Sequence, residues 1–429
     1  MEKILQYIWQ HRLWRSDDMT TNDGRHIRVL DPGLLNTDAG PDFFNAKVQI
    51  DGQTWVGNIE IHVRATDWKR HGHNADKAYD SVILHVVQKD DAPVYRTNGE
   101  RIPQLVLDVS PRFNESYNAL VNAHCELPCA SGIAQVPHIT ITEWIEGLAF
   151  ERLHTKVERL QALYDQFHGS WEDVCYVTLA RNLGFGINNE AFERLARRSP
   201  LRLLNKHSDS LLQIEAFLFG QAGLLTDGIA DNDAYCRHLR SEYAFLANKF
   251  SLEHLEPEVW KTFRIRPQNF PFRRIAMLAQ YVYGGFKLMS NLLSAPDEKA
   301  IRALFAVNLT GYWANHFSFG KPAGVTAQAL GNRSIDIILI NTVAPLFYAH
   351  GEFTGNYALA DKAITLLESL RPEKNSIVEA FRHAGIDCPD ALSSQALIQL
   401  RRNYCEARKC IYCKIGHYLL SQAAHSPSL

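Results

Sequence analysis

One run, Trp55 to Arg64 (WVGNIEIHVR), constrains the fold more than any other part of the chain. Ile59, Ile61 and Val63 alternate with Glu60, His62 and Arg64. A period of two places alternate side chains on opposite faces, so the run predicts a strand with one apolar and one polar face. Upstream, Phe43 to Ile50 alternates at its end, with Ala46, Val48 and Ile50 against Lys47 and Gln49. Asp51-Gly52 lies between the two runs and predicts a tight hairpin. Ser81 to Val87 is a continuous β-branched and leucine run, the mark of a strand buried on both faces. His26 to Leu30 and Gln104 to Val109 are further strand candidates. Asp67 to Asp80 is polar, with a single helical turn near Asp76 to Tyr79.

Helical spacing flanks this region. Ile4, Leu5, Ile8, Trp9 and Leu13 form one stripe of an N-terminal helix. From Ile141 onward the period becomes helical, beginning with Ile145, Leu148, Ala149, Leu153, Val157, Leu160 and Leu163. Further helices are expected near Trp171–Leu183, Leu211–Leu225, Asn232–Lys249, Arg273–Leu293, Asp297–Phe305, Ile335–Tyr348, Asn356–Leu370, Ser376–Ala384 and Ser393–Gln422. The fold class expected is α+β: a small mixed sheet domain over 1–125, then a mostly helical domain over 126–429. The boundary falls between Ser110 and Pro137.

Composition narrows the function classes. A formal net charge of −2 gives no global field for nucleic acid or membrane, so such binding would have to come from local patches. No apolar run reaches the roughly 18 residues that span a bilayer. The N-terminal residues lack the pattern of a secretory signal, and a cytoplasmic location is the expectation. The eight cysteines are then reduced, and clusters among them point to metal rather than disulfides. Gly184-Phe185-Gly186 is followed by Asn189 where a dinucleotide fingerprint needs glycine, and Gly320-Lys321 lacks the earlier glycine of a P-loop. Nucleotide binding is disfavoured.

Chemistry concentrates between Gly40 and His85. Glu60 and His62, two apart on a strand, project together. Asp42 stands 18 positions before Glu60 across the predicted hairpin. Two carboxylates brought together repel unless a cation joins them. Mg²⁺ or Mn²⁺ bound there would polarise a phosphoryl oxygen and activate water. His71 and His73 add imidazoles beside Asp67 and Asp76, a set that can take zinc or manganese, or can lie solvated in a loop and bind nothing. His85, inside an apolar strand, reads as a hydrogen-bonded core histidine.

Pro41-Asp42 and Glu60-Ile61-His62, in this order of elements, resemble the PD-(D/E)XK nuclease core over about a hundred residues. The resemblance implies a restriction-endonuclease-like fold and a metal-dependent nuclease or phosphodiesterase acting on nucleic acid. Asp42 and Glu60 would bind metal, and position 62 would orient or deprotonate water. The family has lysine where this chain has His62. A neutral histidine offers no fixed positive charge. That departure keeps open a non-enzymatic protein with a degenerate core that binds nucleic acid or protein. A histidine-liganded zinc enzyme is a third reading. Through GPDFFNAKV, GNIEIHV, DWKRHGH, YDSVILHVV, IEAFLFGQAGLL and RPQNFPFRR, the whole chain is also similar to a bacterial family known as a domain of unknown function. That similarity implies no activity.

Two further groups call for an explanation. Cys405, Cys410 and Cys413 have the spacing C-x₄-C-x₂-C, that of three ligands in plant-type iron–sulfur sites. They would hold zinc or an iron–sulfur cluster if Cys388, Cys125 or Cys129 supplied a fourth thiolate. The run they occupy reads as helix, in which they are otherwise ordinary buried thiols. Arg264, Arg266, Arg273 and Arg274 are interleaved with Phe263, Phe270 and Phe272. Such a patch suits a phosphate backbone and stacked bases. It equally suits arginines that cap helix ends while the phenylalanines fill a core.

Overall fold

The structure is a computed structural model and describes residues 1–226, 228, 230–265, 269–323 and 328–425. The chain divides into two compact units. The first comprises Met1–Trp144, Glu379–Asp387 and Leu400–Leu429; the second comprises Ile145–Val378 and Cys388–Gln399.

The first unit is built on a mixed sheet. Its elements are α1 (Glu2–Gln10), β1 (Met19–Thr20), β2 (His26–Asp31), β3 (Leu34–Leu35), β4 (Phe43–Ile50), β5 (Gln53–Arg64), α2 (Asp67–Arg70), β6 (Val82–Lys89), β7 (Gln104–Val106) and α3 (Pro111–Asn122). The strand order is β1-β2-β4-β5-β6-β7, with β3 on the β4 edge. Strands β2, β4 and β5 run antiparallel, whereas β5, β6 and β7 are parallel.

The expected hairpin joins β4 to β5. Asp51 and Gly52 both take positive φ, 49° and 83°. That backbone twist matches the twist of the flanking strands. Beyond β5 the chain crosses over through α2 and two 3₁₀ turns, His73–Ala75 and Lys77–Tyr79, and returns as β6. The second turn lies where a single helical turn was expected.

Ile59 and Ile61 are fully buried in a core with Ile8, Trp9, Val48, Leu84 and Val86. Removing such a side chain from water contributes about 2 kcal/mol. The opposite face of β5 is also covered. Trp68 from α2 packs there in a smaller cluster with Ala65, Val82, Val87, Val94 and Ile102. Glu60 and His62 are thereby 5% and 1% exposed, so this face is not the solvated one an alternating strand implies.

The second unit is helical. Trp171–Leu183 matches its expected bounds, and Leu211–Gln221 is buried along most of its length. Two expected helices are broken. The run from Arg273 to Leu293 forms Pro271–Val282 and Leu288–Ser294, because Gly284 and Gly285 take φ of 81° and 94° between them. The run from Ser393 to Gln422 forms Ala391–Gln399, a π turn Leu400–Cys405, a 3₁₀ turn Cys410–Tyr412 and the helix Lys414–His425. Arg408, at φ 52°, breaks it. Contrary to the expected division at residue 125, the segment from Leu400 onward belongs to the first unit. Hydrophobic period alone says that a segment has a buried face, but not which core receives it. No helix among the described residues is long and apolar enough to cross a membrane.

Candidate metal centre

Strand register assembles the site. Phe43 pairs with Ile59, which sets Asp42 beside Glu60. Glu60 pairs with His85 and His62 with Val87 across the parallel β5–β6 ladder. The crossover then returns two more imidazoles to the same place. His71 ends α2, Gly72 turns the chain at φ 81°, and His73 opens the 3₁₀ turn. The left-handed residue, which glycine adopts without strain, lets His71 and His73 face one point.

One ring nitrogen from each of His62, His71 and His73 lies within 4.8 Å of the other two. His62 Nε2 is 3.1 Å from His71 Nδ1. Glu60 Oε1 is 3.1 Å from His73 Nε2 and 3.5 Å from His62 Nε2. Ligands of a tetrahedral ion at about 2.0–2.1 Å are about 3.3 Å apart, so these separations are those of a coordination shell. His62 and His73 are buried, whereas His71 is exposed and opens the site to solvent.

His62 and His85 are kept neutral. Burial first, then His85, His73 and His71, push His62 down to about 2. Burial, then His73, lowers His85 to about 3. A neutral imidazole keeps the lone pair that a metal needs. His62 Nδ1 lies 2.9 Å from His85 Nε2. If the His62 proton sits on Nδ1 and is donated to His85, Nε2 presents its lone pair to the shared point. His85 is thus the buried core histidine expected, and it also orients a candidate ligand. Its Nδ1 is buried without a partner. Aromatic rings complete the surround. His73 stacks on Tyr79 at 3.7 Å between centroids, and Trp68 meets the edges of His73 and His85.

Asp42 adjoins the imidazole group through Glu60. Its backbone N–H donates to Glu60 Oε2 at 3.1 Å. Its carboxylate accepts from the Ile61 N–H at 2.9 Å and from Gln6 Nε2 of α1 at 2.8 Å. Burial, then the charge of Glu60, raises Asp42 to about 7. The expected pairing of Asp42 with Glu60 is present, but the residues turned toward the shared point are Glu60 and the histidines. Three imidazoles and one carboxylate suit zinc, manganese or iron. Mg²⁺ takes oxygen ligands and fits this set poorly. Sequence reasoning missed Gln6, Trp68 and Tyr79. Only the density of aromatic and polar residues in DWKRHGHNADKAY marks the last two.

The other expected sites fare differently. Arg273 and Arg274 are 0% and 3% exposed. Arg273 donates to the carbonyls of Trp313 and His316, and Arg274 donates to Asn269 and lies over the Phe185 ring. Guanidinium groups so enclosed are not available to a phosphate backbone, and the reading that assigned them to internal packing is the one met. Arg264 is exposed over Phe263. Arg266 lies outside the described residues. Cys405, Cys410 and Cys413 occupy turns rather than one helix.

Fold and site together define a mixed-sheet α+β chain, mostly helical beyond the sheet, with a buried histidine–carboxylate cluster on its central strands. By sequence it belongs to the family described as "Protein of unknown function (DUF2851)", whose model matches residues 2–376. No curated protein and no solved structure matches the chain.

Proposed function

We propose that the first unit is a metal-dependent hydrolase of phosphodiester bonds, and that Glu60, His62, His71 and His73 bind its ion. The observation that carries this reading is the convergence of the His62, His71 and His73 ring nitrogens, with Glu60 Oε1 3.1 Å from His73 and 3.5 Å from His62. The substrate class rests on the PD-(D/E)XK resemblance and on topology. An N-terminal helix, an antiparallel meander and a parallel crossover strand, with Pro41-Asp42 and Glu60 at the motif positions, support a restriction-endonuclease-like core. A bound zinc or manganese ion would supply Lewis acidity and a more acidic water.

The chain's own residues divide the remaining work. His85 and Gln6 orient His62 and Asp42. Asp42, raised to about 7, is poised to exchange a proton near neutral pH. His71 borders the solvent side, where a substrate phosphate would enter. His62 takes the place of the family's lysine as a neutral ligand.

Protein stripped with chelator and reloaded with Mn²⁺ or Zn²⁺ is expected to cleave DNA or RNA oligonucleotides, and Asp42→Ala is expected to abolish cleavage. Cleavage that persists in rigorously repurified Asp42→Ala protein would sink the assignment. One observation favours a second reading. Three imidazoles with Glu60 beside two of them would, if all bound, complete a tetrahedral shell without water, as in structural zinc sites. A non-catalytic metal would then tie the crossover to the sheet, and metal would raise the melting temperature without conferring cleavage.

A further inference from the structure

The first unit also brings together four cysteines from segments far apart in sequence. Cys129 precedes the 3₁₀ turn Ala130–Gln135, Cys405 ends the π turn, Cys410 opens its 3₁₀ turn, and Cys413 precedes the helix Lys414–His425. All four are free thiols. Burial raises each of them, Cys129 to about 12, and they lie close enough to one another to repel as thiolates.

Several neighbours oppose that burial and favour charged sulfur. The backbone N–H groups of Ile415 and Gly416 hydrogen-bond to the Cys413 sulfur. The buried indole N–H of Trp144 is directed to the same sulfur. Arg401 lies near Cys405 and Arg408 near Cys410, where their charges favour the thiolates. The same arginines donate to the carbonyls of Glu126 and Ala123, so they also draw the cysteine-bearing segments together. At Gly416 a Cβ would come 2.1 Å from the Cys410 carbonyl oxygen, so the helix can close on the Cys410 turn only with glycine there.

We propose that Cys129, Cys405, Cys410 and Cys413 together ligate an iron–sulfur cluster that fastens the C-terminal segment onto the 123–135 stretch. Among the described residues, three ligand atoms all within 4.8 Å of one another are found at the histidine group, and no three of these sulfurs come that close. A single tetrahedral ion needs its thiolates that close. A polynuclear cluster interposes several atoms and takes its cysteines further apart. Each thiol loses its proton to solvent on ligation. The N–H donors around Cys413 and the nearby arginines supply the hydrogen bonding and positive charge that stabilise such a cluster. Cys125, which is exposed, and Cys388, which belongs to the second unit, are not ligands. This inference does not rest on the hydrolase reading.

The full chain, purified without oxygen from iron-replete cells, is expected to carry iron together with acid-labile sulfide and to show broad visible absorption. Sulfide separates a cluster from iron bound at the imidazoles, which takes none. Cys129→Ala, Cys405→Ala and Cys413→Ala are each expected to lose both iron and sulfide, whereas Cys125→Ala and Cys388→Ala keep them. Circular dichroism on each variant separates loss of the cluster from loss of the fold, and the wild-type assay stands without any variant. Zinc or no metal in the wild type, iron without sulfide, or full cluster content in Cys129→Ala would each overturn the proposal.

Discussion

Each unit buries a glutamate, and the two are treated differently. In the first unit, Glu60 turns one oxygen to the Asp42 backbone and the other toward the His62 and His73 imidazoles. In the second, Glu215 is 3% exposed in the helix Leu211–Gln221 and accepts from the Tyr235 hydroxyl. Burial raises Glu215 to about 7, and the Tyr235 bond offsets part of that shift. The first arrangement gathers three imidazoles and a carboxylate around one another. The second pairs its acceptor with a donor and leaves nothing to bind. Burial and a polar side chain are thus common to both, and the convergence of several metal-binding residue types distinguishes the first.

The largest expected effect tests the convergence directly. His62→Ala removes the imidazole that lies within 3.5 Å of both His71 and Glu60. It is expected to lower Zn²⁺ or Mn²⁺ affinity by more than the roughly 100-fold upper range for supporting residues, measured by competition with a chromophoric chelator. Metal affinity equal to wild type would leave the two glutamates alike. Glu215→Gln tests the opposite arm through stability. In the unfolded chain Glu215 titrates near 4.5, and in the folded protein near 7. Between these values the folded state binds the extra proton, so this residue makes stability fall as pH rises, with no further change above the folded value. The difference between wild-type and Glu215→Gln denaturation curves is expected to span roughly 2–4 kcal/mol across that window. A flat difference would break the assignment of Glu215 as a protonated, satisfied core group.

A smaller effect sharpens the first arm. His85→Phe keeps the ring but removes the acceptor at His62 Nδ1, and is expected to weaken metal binding by about 10–100-fold with the sheet intact. The smallest concerns the turn that aims the loop. Gly72→Ala forces a Cβ into left-handed backbone and should cost about 1–2 kcal/mol in apo stability by thermal melts.

Much of the first unit was legible in the sequence. Alternation in WVGNIEIHVR, the Asp51-Gly52 turn and the buried run at Val82 give strands and a hairpin with few alternatives, because a period of two has one structural meaning. Glu60 and His62 follow from the same period. The contribution of His71 and His73 was stated only as one of two outcomes, since a loop has no period that reports its direction. The basic residues near Phe270 illustrate the limit from the other side. Arg273 and Arg274 carry the composition of a nucleic-acid patch, yet both guanidinium groups are spent on internal carbonyls and Asn269. Composition counts charges and cannot say which are already paired.

The sequence by itself determined the strand period, the hairpin, the helical second half and the residue types able to bind metal, because these depend on neighbours a few positions away. Tertiary structure alone decided that Glu60 faces the imidazoles, that His85 lies behind His62, and that Cys129 joins thiols more than two hundred residues downstream. Those pairings are made by strand register and by which core receives each amphipathic face, and neither is encoded within any one segment.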